Sequence, residues 1–386
     1  MKSPSKNYHR VNWVDGMKIN ENHFIAMDAS TLELIRNSQL KNISPINYGL
    51  LPQLSDQENS LDVLISIDGQ LTINVDLNRC RAITLGGYQI DITQNTTNLL
   101  QQSGYILKKQ YSVNKEEGEW YIILSVNPND RIAVGDSDVE EEPPRRPYVF
   151  PKYKLDIVPK SEISGYHMGM SHLTIGKVLL KDGRTVVDSA FIPPCSSVQS
   201  HPDLKFTYSE LGSFLNQMEL YSLHTIQKIY QKKQNNDLAV IALYIAEQVM
   251  RYLNENITDF RFKDRYNSPI HMISRSINLG RVIKSSLDVF VGSGKEEFLN
   301  YLTNWCDLNQ GAFENVLVEI IELEYTHEDV NTTLSKVSSF TKLMLSLFKK
   351  LSELDYIGKK EDSNIFVKEE VVNTAEPKGR RSFLLD

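Results

Sequence analysis

Proline and glycine are distributed very unevenly along this chain of 386 residues. Residues 1–204 contain 12 of the 14 prolines and 12 of the 19 glycines, whereas residues 205–355 contain one proline and five glycines. Because both residue types interrupt helices and strands, the first half is predicted to consist of many short elements and the second half of a few long ones.

The first half has the pattern of antiparallel strands. Residues 61–67 and 71–77 alternate apolar and polar side chains on either side of Asp68-Gly69, which is a hairpin signal. Short strands at hairpin spacing, with no helices between them, favour an antiparallel β-sandwich or barrel and disfavour a doubly wound nucleotide-binding fold. Further strands are predicted at residues 88–92, 120–126, 173–180 and 185–187.

The second half has the pattern of a helical bundle, since apolar residues recur there at three- and four-residue steps. Pro269 behind Ser268 suits the first position of a helix. Heptad spacing within two of the helices leaves open the assembly of this region with copies of itself. The fold class is therefore α+β, a sandwich followed by a bundle, with helices predicted at residues 211–229, 238–253, 270–291, 298–308, 313–325 and 330–354.

Composition excludes several classes of function. The formal net charge of −7 argues against a protein that binds nucleic-acid backbones. The three cysteines (Cys80, Cys195 and Cys306) are far apart and form no CxxC pair, which disfavours a disulfide framework or a zinc site and fits a reducing compartment. The N-terminus has no secretory signal and no apolar run is long enough to span a bilayer, so a soluble cytoplasmic protein is expected.

Motifs of known enzymes are not matched. Residues 290–295 resemble a phosphate-binding loop, but Val289 stands where that loop needs glycine and Glu296 where it needs serine or threonine. The acidic residues 136–142 lack the ligand register of a calcium loop and are read as a solvated loop. His23 is interpreted as a packed or capping histidine. A non-catalytic binding or scaffolding protein is predicted, with no cofactor, metal or small-molecule substrate.

Four stretches of the sequence resemble TssK, a baseplate subunit of bacterial type VI secretion systems. The first, residues 11–24, has a tryptophan, an acidic residue before Gly-Met and a His-Phe pair. Three others follow in the family's order: the proline-rich residues 142–155, the Ile-Pro-Pro turn within residues 191–195, and residues 325–329 before the last long helix. The resemblance extends from residue 11 to about residue 355. The matching positions of the first stretch are Trp13, Asp15, Gly16, Met17, His23 and Phe24.

This resemblance implies a homotrimer with a shoulder domain similar to the shell domain of phage receptor-binding proteins, followed by a helical neck. It divides the chain into an N-terminal arm (residues 1–27), a β-sandwich shoulder (28–200), a bundle neck (205–355) and a tail (356–386). In the family a head domain follows the neck and contacts the membrane complex. A tail of this size is too short for such a domain, so a flexible tail in place of the head is expected.

The family further implies a structural adaptor that joins wedge subunits similar to TssF and TssG to the membrane side. Its expected location is cytoplasmic, at the inner-membrane-proximal face of the baseplate. The six N-terminal positions are predicted to bind a partner, with packing in the core or between subunits as the alternative interpretation. The alternative function is a phage-like tail adaptor or receptor-binding protein of another contractile injection system. Docking to a membrane-side component is predicted for the apolar tail residues Ile365, Phe366, Val367, Phe383, Leu384 and Leu385.

Overall fold

The computed structural model describes residues 9–53, 58–113, 118–163, 170–181, 183–303 and 310–358. The predicted tail contacts at residues 365–367 and 383–385 lie outside these described residues. Within them, the order of strands and helices along the chain follows the division by proline and glycine. The strands are β1 (Gly49–Leu50), β2 (Leu61–Ile67), β3 (Thr72–Ile83), β4 (Gln89–Ile92), β5 (Lys108–Ser112), β6 (Glu119–Val134), β7 (Tyr148–Pro159), β8 (His172–Lys181) and β9 (Arg184–Val187).

The first sheet is built around β3. This strand pairs antiparallel with β2 and β1, and also with β4 and β5. The β2–β3 hairpin predicted at Asp68-Gly69 is present. The Asp68 carboxylate accepts hydrogen bonds from the backbone N–H groups of Gln70 (2.9 Å) and Thr72 (2.8 Å). Side chains along β3 alternate between buried and half-buried, as the sequence pattern predicts.

The second sheet has four antiparallel strands in the order β7-β6-β8-β9. It contacts the first sheet where Gly176 on β8 leaves room for a side chain of β2. A Cβ atom at Gly176 would lie 2.6 Å from Cδ1 of Ile65 and 2.9 Å from Cδ1 of Ile122. Trp120 on β6 is fully buried in the core to which both sheets contribute. The β-strand half thus consists of two antiparallel sheets in contact.

Among the described residues, six helices form the second half and two accompany the sheets. The prediction that no helix lies between the strands is wrong, because residues 94–102 form a helix between β4 and β5. Asn236 caps one of the six helices, because its side-chain oxygen accepts the N–H of Ala239 at 3.0 Å. Pro269 is the first residue of another, directly after Ser268, as predicted. The helices are α1 (Glu21–Leu40), α2 (Gln94–Gln102), α3 (Pro202–Gln231), α4 (Asp237–Phe262), α5 (Pro269–Asp288), α6 (Lys295–Thr303), α7 (Gln310–Ile321) and α8 (Val330–Glu353).

Most heptad residues of α5 and α8 point into the chain's own core; Lys284 is half-buried, and Val291 lies beyond the end of α5 and is exposed. Helix α8 packs against α3 and α5, and rings of Phe214 on α3 and Phe340 on α8 are 6.4 Å apart in an edge-on arrangement. The heptad spacing is therefore already explained by packing within one chain. The buried members of the two series include Ile273, Gly280, Leu287, Val337, Met344 and Leu351.

The protein is an α+β protein with antiparallel sheets, as the sequence predicts. In the described parts of the chain, no helix is both long and apolar enough to cross a membrane.

Candidate functional site

The N-terminal segment forms a turn followed by a capped helix. The N–H of Met17 donates to the carbonyl of Val14 at 3.3 Å, and Gly16 between them has φ +78°. A positive φ at the third position of a turn favours glycine over other residues. The Asp-Gly-Met part of the first TssK-like stretch is thus a tight turn that delivers the chain to α1.

His23 has a structural role at the start of α1. Its Nδ1 atom accepts the backbone N–H of Asn20 at 3.1 Å, which satisfies one donor at the helix terminus. The Trp13 ring lies beside it, with centroids 6.1 Å from His23 and 6.4 Å from Phe24. His23 is therefore a capping histidine, as one sequence interpretation predicted.

The two large aromatic residues of this stretch are exposed. Trp13 is 47% and Phe24 is 51% accessible. Neither belongs to the core of this chain, so the interpretation as intrachain core packing is wrong for these two residues. Both side chains are accessible to another chain, either a second copy of this one or a different partner.

Helix α1 has its large apolar side chains on the side away from the sheets. Residues turned toward the sheets are mostly small or polar and include Ala26, Ser30, Glu33 and Arg36; Leu40, at the end of the helix, is a large apolar residue that is also half-buried there. This is the reverse of an ordinary surface helix, whose apolar face is buried. We call the exposed side the outer face of α1; it comprises Phe24, Ile25, Met27, Leu32, Leu34 and Ile35.

Polar contacts attach α1 to the sheets. Arg36 donates from Nε to the carbonyl of Gly86 at 2.8 Å, and its guanidinium lies 4.7 Å from the centre of the Tyr88 ring. Asp28 forms an ion pair of 3.7 Å with Arg131 on β6. Arg36 anchors α1 from the side toward the sheets, whereas Asp28 lies one helical turn from both Phe24 and Leu32 and pairs with Arg131 beside the exposed outer face.

The second TssK-like stretch lies next to the first. Its strand, β7, pairs with the end of β6 so that Arg131 is opposite Pro151 and Ala133 is opposite Val149. Since alternate residues of a strand share a face, Val149 is on the same side of this ribbon as Arg131, which contacts α1. Val149 is exposed. We call the outer face of α1, Trp13 and this end of the β6–β7 ribbon together the N-terminal surface.

The third and fourth stretches meet at the junction between the sheets and the helices. The Leu50 N–H donates to the Pro194 carbonyl at 2.7 Å, and the Ser196 N–H donates to the Leu50 carbonyl at 2.9 Å. Gly49 has φ +106°, and a Cβ atom there would lie 2.0 Å from the Pro194 oxygen. No residue other than glycine fits at this approach.

His327 joins the fourth stretch to the same strand. Its Nε2 atom lies 2.8 Å from the carbonyl oxygen of Tyr48, and its Nδ1 atom lies 2.7 Å from the hydroxyl of Tyr325. The carbonyl can only accept, so Nε2 carries the proton and Nδ1 accepts from the tyrosine. Burial lowers the pKa of His327 and raises the pKa of Tyr325. The imidazole is therefore held neutral as a bridge between the two halves.

Two further polar contacts cross the junction. Lys177 on β8 forms an ion pair of 3.1 Å with Asp329, with both side chains mostly buried. The Ser268 hydroxyl donates to the carbonyl of Ile46. Because a bend at the junction would pull these groups from their partners while they stay buried and out of reach of water, the junction resists bending.

The loop that resembled a phosphate-binding motif is explained by ion pairs. Lys295 is mostly buried and its Nζ atom lies 2.7 Å from Asp288 and 3.1 Å from Glu314. The lysine thus opens α6 and holds it to α5 and α7. Burial raises the pKa of the Cys80 thiol to about 12, so this cysteine is a protonated core residue. In the ranges that the structure describes, no three His, Cys, Asp or Glu side chains are grouped to hold a metal ion.

A groove between α3 and α8 is a second candidate surface. Its volume is about 590 Å³, and the exposed ring of Phe206 stands at its edge. Hydroxyl-bearing and charged side chains line about half of the rest, and apolar side chains line most of what remains. The hydroxyl-bearing and charged side chains include Thr207, Glu210, Ser335, Ser338, Thr341 and Lys342.

No family model matches the chain, and no curated protein matches it. Among solved structures, a crystal structure of TssK is 16% identical and aligns over 88% of this chain and 69% of that chain, with a TM-score of 0.49. TssK from the EAEC type VI secretion system, solved with a nanobody, is 14% identical over 85% and 99%, with a TM-score of 0.43. A TssK–TssF–TssG baseplate subcomplex gives 13% identity over 90% and 99%, with a TM-score of 0.44. The chain is thus similar in structure to TssK proteins, at a level from which no function follows.

Proposed function

We propose that the chain is a non-catalytic structural subunit of a type VI secretion baseplate, of the TssK kind. The observation that carries the proposal is the placement of the four TssK-like stretches. The first two share the exposed, apolar N-terminal surface, and the last two form the buried junction. Stretches scattered along the sequence therefore serve two purposes, one for contact with other chains and one for a rigid connection.

This proposal assigns the two sheets to a sandwich shoulder at residues 28–200, preceded by the arm at 1–27. The helices of residues 205–355 are the bundle neck. The junction at His327 supports an adaptor, because a force or displacement applied to the sheets reaches the helices without a hinge between them. The proposed location is the cytoplasm, at the inner-membrane-proximal face of the baseplate.

The N-terminal surface is proposed to bind wedge subunits similar to TssF and TssG. Large apolar side chains that stay exposed together on a well-anchored helix are typical of a protein interface. The outer face of α1 offers six of them beside Trp13. Membrane-side contact is proposed for the tail clusters at residues 365–367 and 383–385.

The proposed homotrimer needs support other than the heptads, whose residues are buried within one chain. The groove between α3 and α8 supplies it, since its edge carries Phe206, a large exposed aromatic side chain beside a cavity open to solvent. Native mass measurement tests this assignment. Three chains are expected for the parent protein and one for Phe206→Asp. A trimeric Phe206→Asp variant would contradict the use of this groove.

Wedge binding is tested with a double substitution on the outer face of α1. Phe24→Asp with Ile35→Asp places two charges on the outer face and removes no contact that anchors the helix. We expect loss of co-purification with the TssF- and TssG-like subunits, with native mass and helical circular dichroism unchanged. Phe262→Asp is the matched control, because Phe262 on α4 is 74% exposed and distant in sequence from this surface.

The outcomes of this experiment separate the interpretations. Normal co-purification by the double variant refutes the assignment of the surface to the wedge. A fall of the native mass to one chain assigns the outer face of α1 to packing between subunits, which is the alternative interpretation of the N-terminal stretch.

A further inference from the structure

The end of the helical half that is far from the sheets carries exposed apolar residues. Helix α3 starts at the junction and its 30 residues extend about 45 Å from it. At its far end, Val289 is 61% and Val291 is 62% exposed in the loop between α5 and α6. Val240 near the start of α4 and Tyr230 near the end of α3 are exposed beside them.

These residues form one patch. The Phe290 and Tyr244 rings meet edge-on, with centroids 5.6 Å apart, and this contact ties the loop to α4. Val240 lies one helical turn before Tyr244, on the same side of α4. Tyr230 reaches that side from α3 through a hydrogen bond of 2.9 Å to Glu247. We call this set the distal patch; it comprises Tyr230, Val240, Tyr244, Val289, Phe290 and Val291.

The described chain ends beside this patch. Ile357 is buried, its N–H donates to the side-chain oxygen of Gln234 at 3.0 Å, and its carbonyl accepts from Asn236 at 3.0 Å. Gly358 follows, where a Cβ atom would lie 3.5 Å from Cδ1 of Leu238, two positions before Val240. The chain therefore leaves the helices at the first turn of α4, about one helix diameter from the patch.

The sequence that follows Gly358 fits this geometry. Residues 359–364 are all polar or charged, and the apolar triplet of residues 365–367 comes next, followed by Lys368. Ile365 lies seven residues beyond Gly358, and seven residues can span about 23 Å when extended. That exceeds the width of α4, about 10 Å, so the triplet reaches the patch without strain.

We propose that residues 365–367 of the same chain dock on the distal patch. Contact between the triplet and the patch removes apolar surface of both from water. A triplet alone binds weakly, but a short tether gives it an effective concentration on the order of millimolar. A contact with a dissociation constant in that range is then occupied much of the time. Docking of residues 365–367 takes the place of the membrane-side contact proposed for them above and leaves residues 383–385 for that contact; the proposed baseplate role itself does not depend on it.

Disulfide trapping in the full-length chain tests the proposal. All variants carry Cys306→Ser, and the two buried cysteines, Cys80 and Cys195, are kept. Val291→Cys is combined with Ile365→Cys, or with Asn373→Cys as the matched control in the same tail. Cross-linking under mild oxidation is followed by non-reducing electrophoresis, which separates an intrachain loop from a dimer.

The Asn373→Cys control shows how fast a tail that is not docked forms the cross-link. Ile365 lies seven residues beyond Gly358 and Asn373 lies fifteen. Ring closure of an undocked chain falls with about the −3/2 power of tether length, so position 365 would cross-link about threefold faster than position 373. Docking predicts a ratio of roughly tenfold or more. Adding Val367→Asp is expected to reduce that ratio to about threefold.

Two results would overturn the proposal. One is a ratio near threefold that Val367→Asp does not change. The other is a cross-link that joins two chains and rises with protein concentration, which would place the tail of one copy on another.

Discussion

Removal of the His327 ring should loosen the connection between the sheets and the helices. In His327→Ala the carbonyl of Tyr48 loses the donor that lies 2.8 Å away, and it stays buried behind β1. The Tyr325 hydroxyl also loses its acceptor, although Ser268 is close enough to interact with it.

The size of the effect follows from these contacts. One buried carbonyl left without a partner costs about 1–3 kcal/mol. The missing ring, whose centroid lies 4.8 Å from that of Tyr48, leaves a cavity that adds a cost on the order of 1 kcal/mol. We therefore expect His327→Ala to lower the free energy of unfolding by about 3 kcal/mol at pH 8. A matched control is His271→Gln, since His271 is exposed on α5.

The effect of His327 also depends on pH, in a direction fixed by its environment. Burial holds the pKa of His327 below its ordinary value of 6.5. Below pH 6.5 the unfolded chain binds a proton at this residue and the folded chain does not, so the stability that His327 contributes falls as pH falls. It is complete above pH 6.5. The slope is at most about 1.4 kcal/mol per pH unit. The difference between the parent protein and His327→Ala should therefore shrink on acidification.

Urea unfolding followed by circular dichroism at pH 8 and pH 5.5 measures both effects. The pKa of His201 is lowered by burial as well, but that residue is common to both proteins and cancels in the comparison. The reasoning is refuted if His327→Ala is as stable as the parent at pH 8 within about 0.5 kcal/mol, the range of an ordinary surface substitution. A difference between the two proteins that grows toward pH 5.5 refutes the assigned charge state.

Three other substitutions test the packing by the same measurement. Gly49→Ala should destabilise the protein by about 3 kcal/mol or more, because its Cβ atom would lie 2.0 Å from the Pro194 oxygen and φ is positive; parent-like stability would contradict the close approach at the junction. Asp264→Ala should cost about 3 kcal/mol, because Arg275 loses a carboxylate at 2.7 Å that is almost fully buried; a loss below about 1 kcal/mol would show the pair to be solvated. Trp120→Ala should cost about 3–5 kcal/mol, since the ring is fully buried between the sheets; a smaller loss would mean that the core collapses around the site.

Strands and long helices were predictable where a periodic pattern was bounded by turn residues. The strand at residues 61–67 has the predicted limits. The next strand, predicted at 71–77, continues to Ile83 because its second half pairs with β4, which follows it in a hairpin, and with β1, which is distant in sequence. Such non-local pairing leaves no local signal. The residue pattern did not predict strand β7, since Pro151 and Pro159 interrupt it. The strand accommodates both prolines because it lies at the edge of its sheet.

Helix α1 shows what sequence periodicity does not reveal. Residues 17–44 contain neither proline nor glycine, and Asn20 is a favourable cap, so a helix was recognisable in principle. Its apolar residues, however, spread over a wide arc, while the residues toward the sheets are mostly small or charged. In a helix that forms an interface, the apolar residues are placed to contact the partner and not the core of their own chain.

The heptads of α5 and α8 make the converse point. Their spacing suits packing against a second copy or against neighbours in the same chain, and the two cases have the same period. The structure separates them: α5 packs against α4, α7 and α8, and α8 packs against α3, α5 and α7, all within one chain. Apolar residues were therefore a poor guide to assembly where they were most regular, on α5 and α8. They are a better guide on α1, where they are irregular and remain exposed. A side chain such as Ile35, large, apolar and accessible on a helix anchored from behind by Arg36, is a stronger reason to expect a partner than any repeat in the sequence.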